Sequence, residues 1–163
     1  MKLHVVLYQP AIIQNVGNIA RTCYAFNADL HLIRPYGFIF DKTKLKRSST
    51  NHFDLIKLHE YNSWEEFNNL NKSNNYFFFS RWGNKTPIDI PVDKNKIDEN
   101  IYLIFGNEQT GIKKDILDQY PNNIIRVPIN KDLICINVAN TVAIGCYEIH
   151  RKINFEELHK EGK

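Results

Sequence analysis

Four short, almost wholly apolar runs punctuate this chain, at residues 3–7, 30–33, 76–79 and 101–105. Each has only four or five residues, too few for a helix. A run without polar alternation suits a strand buried on both faces, as in a parallel sheet. Turn-forming residues close three of them: Gln9-Pro10, Arg34-Pro35-Tyr36-Gly37 and Gly106. Residues 54–58 and 124–127 read as further strands. Between the strands, residues 16–26 have helical spacing, Trp64, Phe67 and Leu70 fall on one face of a short helix, residues 113–119 suit another, and residues 138–152 form a final helix with Val142, Cys146 and Ile149 along its faces. Residues 42–47 are a basic stretch read as a polar loop, and residues 87–100 a polar surface excursion. Strands and helices alternate without internal repeat. This order predicts an α/β fold, a mostly parallel sheet flanked by helices, with ligands beyond the strand carboxyl ends.

At 163 residues the chain fits one domain, residues 1–163, large enough to bury a core without staples. No stretch approaches the roughly 20 apolar residues that cross a bilayer, and Gln9-Pro10 cuts the first apolar run too short for a signal-peptide core. A cytoplasmic location is expected. Cys23, Cys135 and Cys146 are too few and too far apart for a zinc site or disulfide framework and are read as small buried hydrophobes. The six histidines make no HExxH-like pair, so no metal is expected. A net charge of +3 is compatible with a polyanionic partner without requiring one.

Three segments, each just after an expected strand, combine backbone access with polar side chains. Asn15-Val16-Gly17-Asn18-Ile19-Ala20-Arg21 lies at a helix start, where backbone N–H groups and a guanidinium suit an anion; ordinary capping with a surface Arg is the competing reading. Phe105-Gly106-Asn107-Glu108-Gln109-Thr110-Gly111-Ile112 has the glycine spacing of a P-loop, but Ile112 occupies the position of the required Lys, which excludes nucleotide-triphosphate hydrolysis. A tight turn that brings ligand close to backbone, or one with no ligand at all, remains. Arg126-Val127-Pro128-Ile129, a polar loop and then Ile134-Cys135-Ile136-Asn137-Val138-Ala139-Asn140 lead into the last helix, where the asparagines read as buried hydrogen-bonding groups or as helix caps.

Taken in order, these segments resemble the three motifs of the SPOUT superfamily of methyltransferases, specifically the YibK-like tRNA (cytidine/uridine-34)-2′-O-methyltransferases. The likeness runs through Leu7-Tyr8-Gln9-Pro10, Gln14 to Cys23, Leu30-His31-Leu32-Ile33-Arg34-Pro35, Gly37-Phe38, Leu45-Lys46-Arg47, the Gly106 motif, Asn140-Thr141-Val142-Ala143 and Tyr147-Glu148. It implies S-adenosyl-L-methionine as cofactor, the anticodon loop of tRNA as partner, a homodimer, and a deep carboxy-terminal trefoil knot within about residues 75–155. The cofactor would be cradled by Phe79, Gly106, Val127, Cys135 and Ile136. Arg21 with Asn15 would sit at the methyl-accepting ribose, and Tyr147 at the dimer contact. Lys46 and Arg47, adjacent cations after the second strand, would belong to the RNA footprint, with a solvated surface pair as the competing reading. Glu108, water or a substrate phosphate would take the hydroxyl proton.

Two departures stand out. Where relatives read Arg-Ser-Leu-Asn-Leu-Ser-Asn, this chain has Ile134 to Asn140 without the Arg or either Ser, and the family's Leu-Asp-Tyr is Thr50-Asn51-His52 here. Two alternatives therefore stand beside wobble methylation: 2′-O-methylation at another tRNA or rRNA site, and an RNA-binding knot protein impaired in catalysis.

Overall fold

The computed structural model describes residues 1–49, 53–73, 75–93, 99–156 and 158–162, and the Thr50-Asn51-His52 departure lies outside them. Its centre is a six-stranded, all-parallel sheet: β1 (Lys2–Tyr8), β2 (Ala28–Ile33), β3 (Leu58–Tyr61), β4 (Tyr76–Phe79), β5 (Asn100–Phe105) and β6 (Ile124–Ile125), in the spatial order β3-β2-β1-β5-β4-β6. β1 is central, with Leu3 opposite both Ala28 and Ile101. Every residue of β2 and β4 is buried, as expected of strands covered on both faces.

Alternate residues feed two apolar layers. On one face Leu3, Val5, Leu30, Phe77, Phe79 and Leu103 pack under α1 (Ile13–Ala25), α2 (Lys42–Ser48) and α5 (Val138–Lys152). α1 presents Ile13, Val16, Ile19, Ala20 and Cys23, the three-and-four spacing of a helix buried along one stripe. On the other face Val6, Tyr76, Phe78, Tyr102 and Ile104 meet Trp64 and Phe67 of α3 (Trp64–Leu70) and Ile116 and Leu117 of α4 (Lys114–Leu117).

Several expectations need correction. Residues 42–47 form helix α2 and not a loop: Asp41 accepts hydrogen bonds from Thr43 N and Lys44 N at its start, and Leu45, its one apolar residue, is buried in the core. A single apolar residue has no period to read. The strand expected at residues 54–58 begins only at Leu58, because Phe53–Leu55 coils into a 3-10 turn that buries Phe53. Leu70 is 71% exposed. Six residues after Trp64 it has rotated roughly 120° away from it around the helix.

On the face of the sheet covered by α3, pairing between strands brings together residues that no sequence spacing connects. His4 Nδ1 and His31 Nε2 share a hydrogen bond of 2.9 Å, His31 Nδ1 meets Tyr61 Oη at 2.9 Å, and Asp29 pairs with Lys2 at 2.8 Å. Burial holds His31 neutral, its pKa pushed down to about 2, and lowers that of His4. His4, Asp29 and His31 lie within metal-chelating distance, but these internal contacts already engage all three. Among the described residues no helix is long and apolar enough to cross a membrane.

Candidate active site

The carboxyl ends of β4, β5 and β6 open onto a cleft of about 440 Å³, completed by Ile12 just before α1, by Asn15 in its first turn and by residues 134–138 leading into α5. Its floor is apolar, with the buried ring of Phe79 stacked on Phe105 at 4.6 Å. One wall is the loop after β5. Gly106 begins it, where a Cβ would fall 2.4 Å from the carbonyl carbon of Gly111, so no other residue lets the loop close on itself. Reciprocal hydrogen bonds between Asn107 and Gly111 complete the closure, with Gly111 at φ +71°, a conformation that glycine adopts without strain. The Asn107 side chain accepts from Gln109 N and Thr110 N and donates to Gln9 O, fixing the loop to the end of β1.

From this loop the Glu108 carboxylate reaches the start of α1. It accepts from Ala11 N at 2.7 Å, Ile12 N at 3.3 Å and Asn15 Nδ2 at 2.9 Å. Helix α1 has no side-chain cap of its own; Glu108 holds the two N–H groups just before it and places a negative charge by its amino end, which complements the helix dipole. Of residues 15–21, the Asn15 amide is thus engaged within the chain. Asn15 Oδ1 in turn accepts from Asn137 Nδ2 at 3.1 Å, while Asn137 Oδ1 caps α5 by accepting from Ala139 N at 2.8 Å. Both amide orientations are dictated by their partners. The chain Glu108–Asn15–Asn137 therefore ties together the three segments singled out in the sequence.

Asn15, Phe79, Gly106, Val127, Cys135 and Ile136 all line this cleft. Backbone N–H groups of Val127, Cys135 and Ile136 form no hydrogen bond among the described residues, leaving donors at the cleft wall. Cys135 is exposed there, unlike the buried Cys23 and Cys146, which corrects the expectation of three core thiols. Arg21 is exposed on α1 and does not line the cleft of its own chain. Lys46 and Arg47 sit in the last turn of α2, where Lys46 forms a 2.6 Å ion pair with the exposed Asp54. Tyr147, 52% exposed, borders a separate apolar groove with Ile88, Pro128 and Ile144. Arg81 and Trp82 also line the cleft and were not named from the sequence. Their signal was a large aromatic placed in a turn directly after a buried strand.

Residues 2–147 match the model of the SpoU rRNA methylase family. The chain belongs to that family. A Mycoplasma genitalium relative, named as a candidate tRNA (cytidine(34)-2′-O)-methyltransferase, is 38% identical over 160 residues, 98% of this chain and 96% of the relative. A Bacillus anthracis structure described as a candidate RNA methyltransferase superposes with a TM-score of 0.88 at 38% identity, covering 98% of this chain and 99% of the other. A structure described under the 2-OH methylation of C/U34 on tRNA gives 0.85 at 32% identity, covering 95% and 98%. For a SpoU family member, a cleft at the carboxyl ends of parallel strands is where a small ligand is expected.

Proposed function

We propose that this protein transfers a methyl group from S-adenosyl-L-methionine to the ribose 2′-hydroxyl of the wobble nucleotide, position 34, of tRNA. The observation that carries the reading is the end-to-end match, in sequence and in fold, to a structure concerned with that reaction, in a chain whose three motif segments meet at one cleft.

The cleft fits the cofactor. Its apolar floor suits an adenosyl group, and the backbone donors at Val127, Cys135 and Ile136 can hydrogen-bond purine nitrogens or ribose oxygens whatever the side chains are. A loop that binds through its backbone can carry Cys135 at this position without a hydroxyl. When bound, the cofactor supplies an electrophilic methyl on a sulfonium. The chain's own task is then to place the ribose oxygen and stabilise charge developing on it. Glu108 is occupied by three donors, so the proton passes to water or to a substrate phosphate. A guanidinium stays protonated, which makes Arg21 an anchor for ribose or phosphate and not a base.

Because Arg21 lies outside its own cleft, it would serve the cleft of a second copy. A homodimer is supported by the groove at Tyr147, whose rim includes the exposed Ile88 and Ile144. The whole chain would act as one domain, with Lys46 and Arg47 reaching the anticodon-loop backbone, in the cytoplasm where tRNA is found. A trefoil knot remains part of the proposal; what speaks for it is contact between the end of α5 and the segment after β4, where Lys152 Nζ donates to Ile88 O and Ile90 O and Ile90 is buried. Calorimetry with S-adenosylmethionine, followed by transfer of labelled methyl to tRNA, tests the proposal. Absence of both cofactor binding and transfer would reject it.

A further inference from the structure

The turn after β4 is held from several sides. Ser80 N donates to Ile125 O at 2.9 Å, Gly83 N to Ser80 O at 3.2 Å, and Trp82 N to Ser80 Oγ at 3.3 Å. A Cβ on Gly83 would fall 2.4 Å from the carbonyl carbon of Ile125, so the turn lies directly on β6. The Arg126 side chain donates to Arg81 O at 2.6 Å, and Arg126 N donates to Lys85 O at 2.7 Å. From this fixed turn Trp82 projects with 69% of its surface exposed, at the rim of the cleft. The Arg81 guanidinium covers one side of the indole, 4.5 Å from its centroid.

A large ring held on a braced turn at a cleft rim is positioned to stack on a bound ligand, and covering it buries apolar area. Aromatic faces stack on nucleobases irrespective of hydrogen-bonding pattern, and adjacent cations reinforce the stack while attracting phosphate. Deeper in the cleft the walls at Gly106, Val127 and Ile136 suit the cofactor, which leaves the rim for the acceptor nucleotide.

We infer that Trp82, backed by Arg81, is the stacking platform for the base of the acceptor nucleotide, a role that rests on the methyl-transfer reading. Such a platform takes cytosine and uracil alike, since stacking reads no base edge.

The test uses anticodon stem-loops carrying either the normal base or an abasic ribose at the acceptor position, with the intact protein and its Trp82→Phe and Trp82→Ala variants. Removing the base is expected to weaken binding to the unsubstituted protein about tenfold, to weaken it similarly in Trp82→Phe, and to change little in Trp82→Ala. Cofactor affinity and sedimentation should be the same in all three. An equal abasic penalty in all three proteins overturns the inference. So does a Trp82→Ala variant that loses cofactor affinity, which assigns the indole to the cofactor, or that changes its oligomeric state, which assigns it to a partner copy. Failure of the unsubstituted protein to methylate the normal stem-loop would count against the methyl-transfer reading, whereas the comparison of abasic penalties judges the stack.

Discussion

Glu108 and Asn15, 93 residues apart in sequence, meet through a 2.9 Å hydrogen bond from the Asn15 amide to the Glu108 carboxylate. The same carboxylate takes two backbone N–H groups at the start of α1, and the same amide passes the connection on to Asn137 at the start of α5. Two helix starts and the loop after β5 are thus held as one frame around the cleft. The cleft is preformed by contacts that a ligand need not make.

Glu108→Gln removes the charge at the helix start and turns one acceptor into a donor facing a donor. Leaving such a group mismatched costs about 1–3 kcal/mol. Urea unfolding should show a loss of that order together with weaker cofactor binding. Unchanged stability would mean that the three contacts contribute nothing net.

If Arg21 serves the cleft of a second copy, two inactive variants should rescue each other. Arg21→Ala lacks the anchor, and Ile136→Arg fills the cleft with a long cation. Unfolded, mixed and refolded in equal amounts, they should recover about a quarter of normal activity, because half of randomly paired dimers hold one complete site of two. No recovery would place Arg21 in its own chain's site or outside the chemistry.

Lys46 and Arg47 should contribute to the salt dependence of tRNA binding. The ion pair of Lys46 with exposed Asp54 is worth at most about 1 kcal/mol, too little to withhold the cation from phosphate. Replacing both with Ala should flatten the log–log salt slope by about 1.4–1.8 units. An unchanged slope would make them a solvated surface pair.

His31 should make stability pH-dependent. Its pKa in the folded protein, pushed down to about 2 chiefly by burial, lies below the value of about 6.5 expected when unfolded. Unfolding therefore takes up a proton between those limits: stability is complete above about pH 6.5 and falls as pH drops below it. Between pH 7.5 and 5 His31 alone should remove about 2 kcal/mol, and His4 acts in the same direction. Denaturant titrations should show this loss, reduced in His31→Gln. A flat profile would mean that these imidazoles are not held neutral.

The central strands were legible because burial on both faces leaves continuous apolar runs, as in the wholly buried β4. Helix α2 was not, since Leu45 is its one apolar residue, and edge strand β3, with His59 and Glu60 exposed, shows no apolar run at all. The cleft-lining positions Asn15, Gly106 and Ile136 could be named because each follows a strand or starts a helix within a recognisable motif. What could not be read was pairing. The contact of Glu108 with the residues before α1, the position of Arg21 outside the cleft and that of Trp82 at its rim all depend on elements that no sequence spacing relates.

The most direct test of wobble-ribose methylation uses two synthetic tRNAs that differ by one atom, with ribose or 2′-deoxyribose at position 34. Given S-adenosylmethionine, the protein should methylate the first, mass mapping should place the methyl on the position 34 ribose, and the second should accept none. Equal methylation of both would move the target to another site, and methylation of neither, across the isoacceptors, would contradict the assignment of this cleft to tRNA methyl transfer.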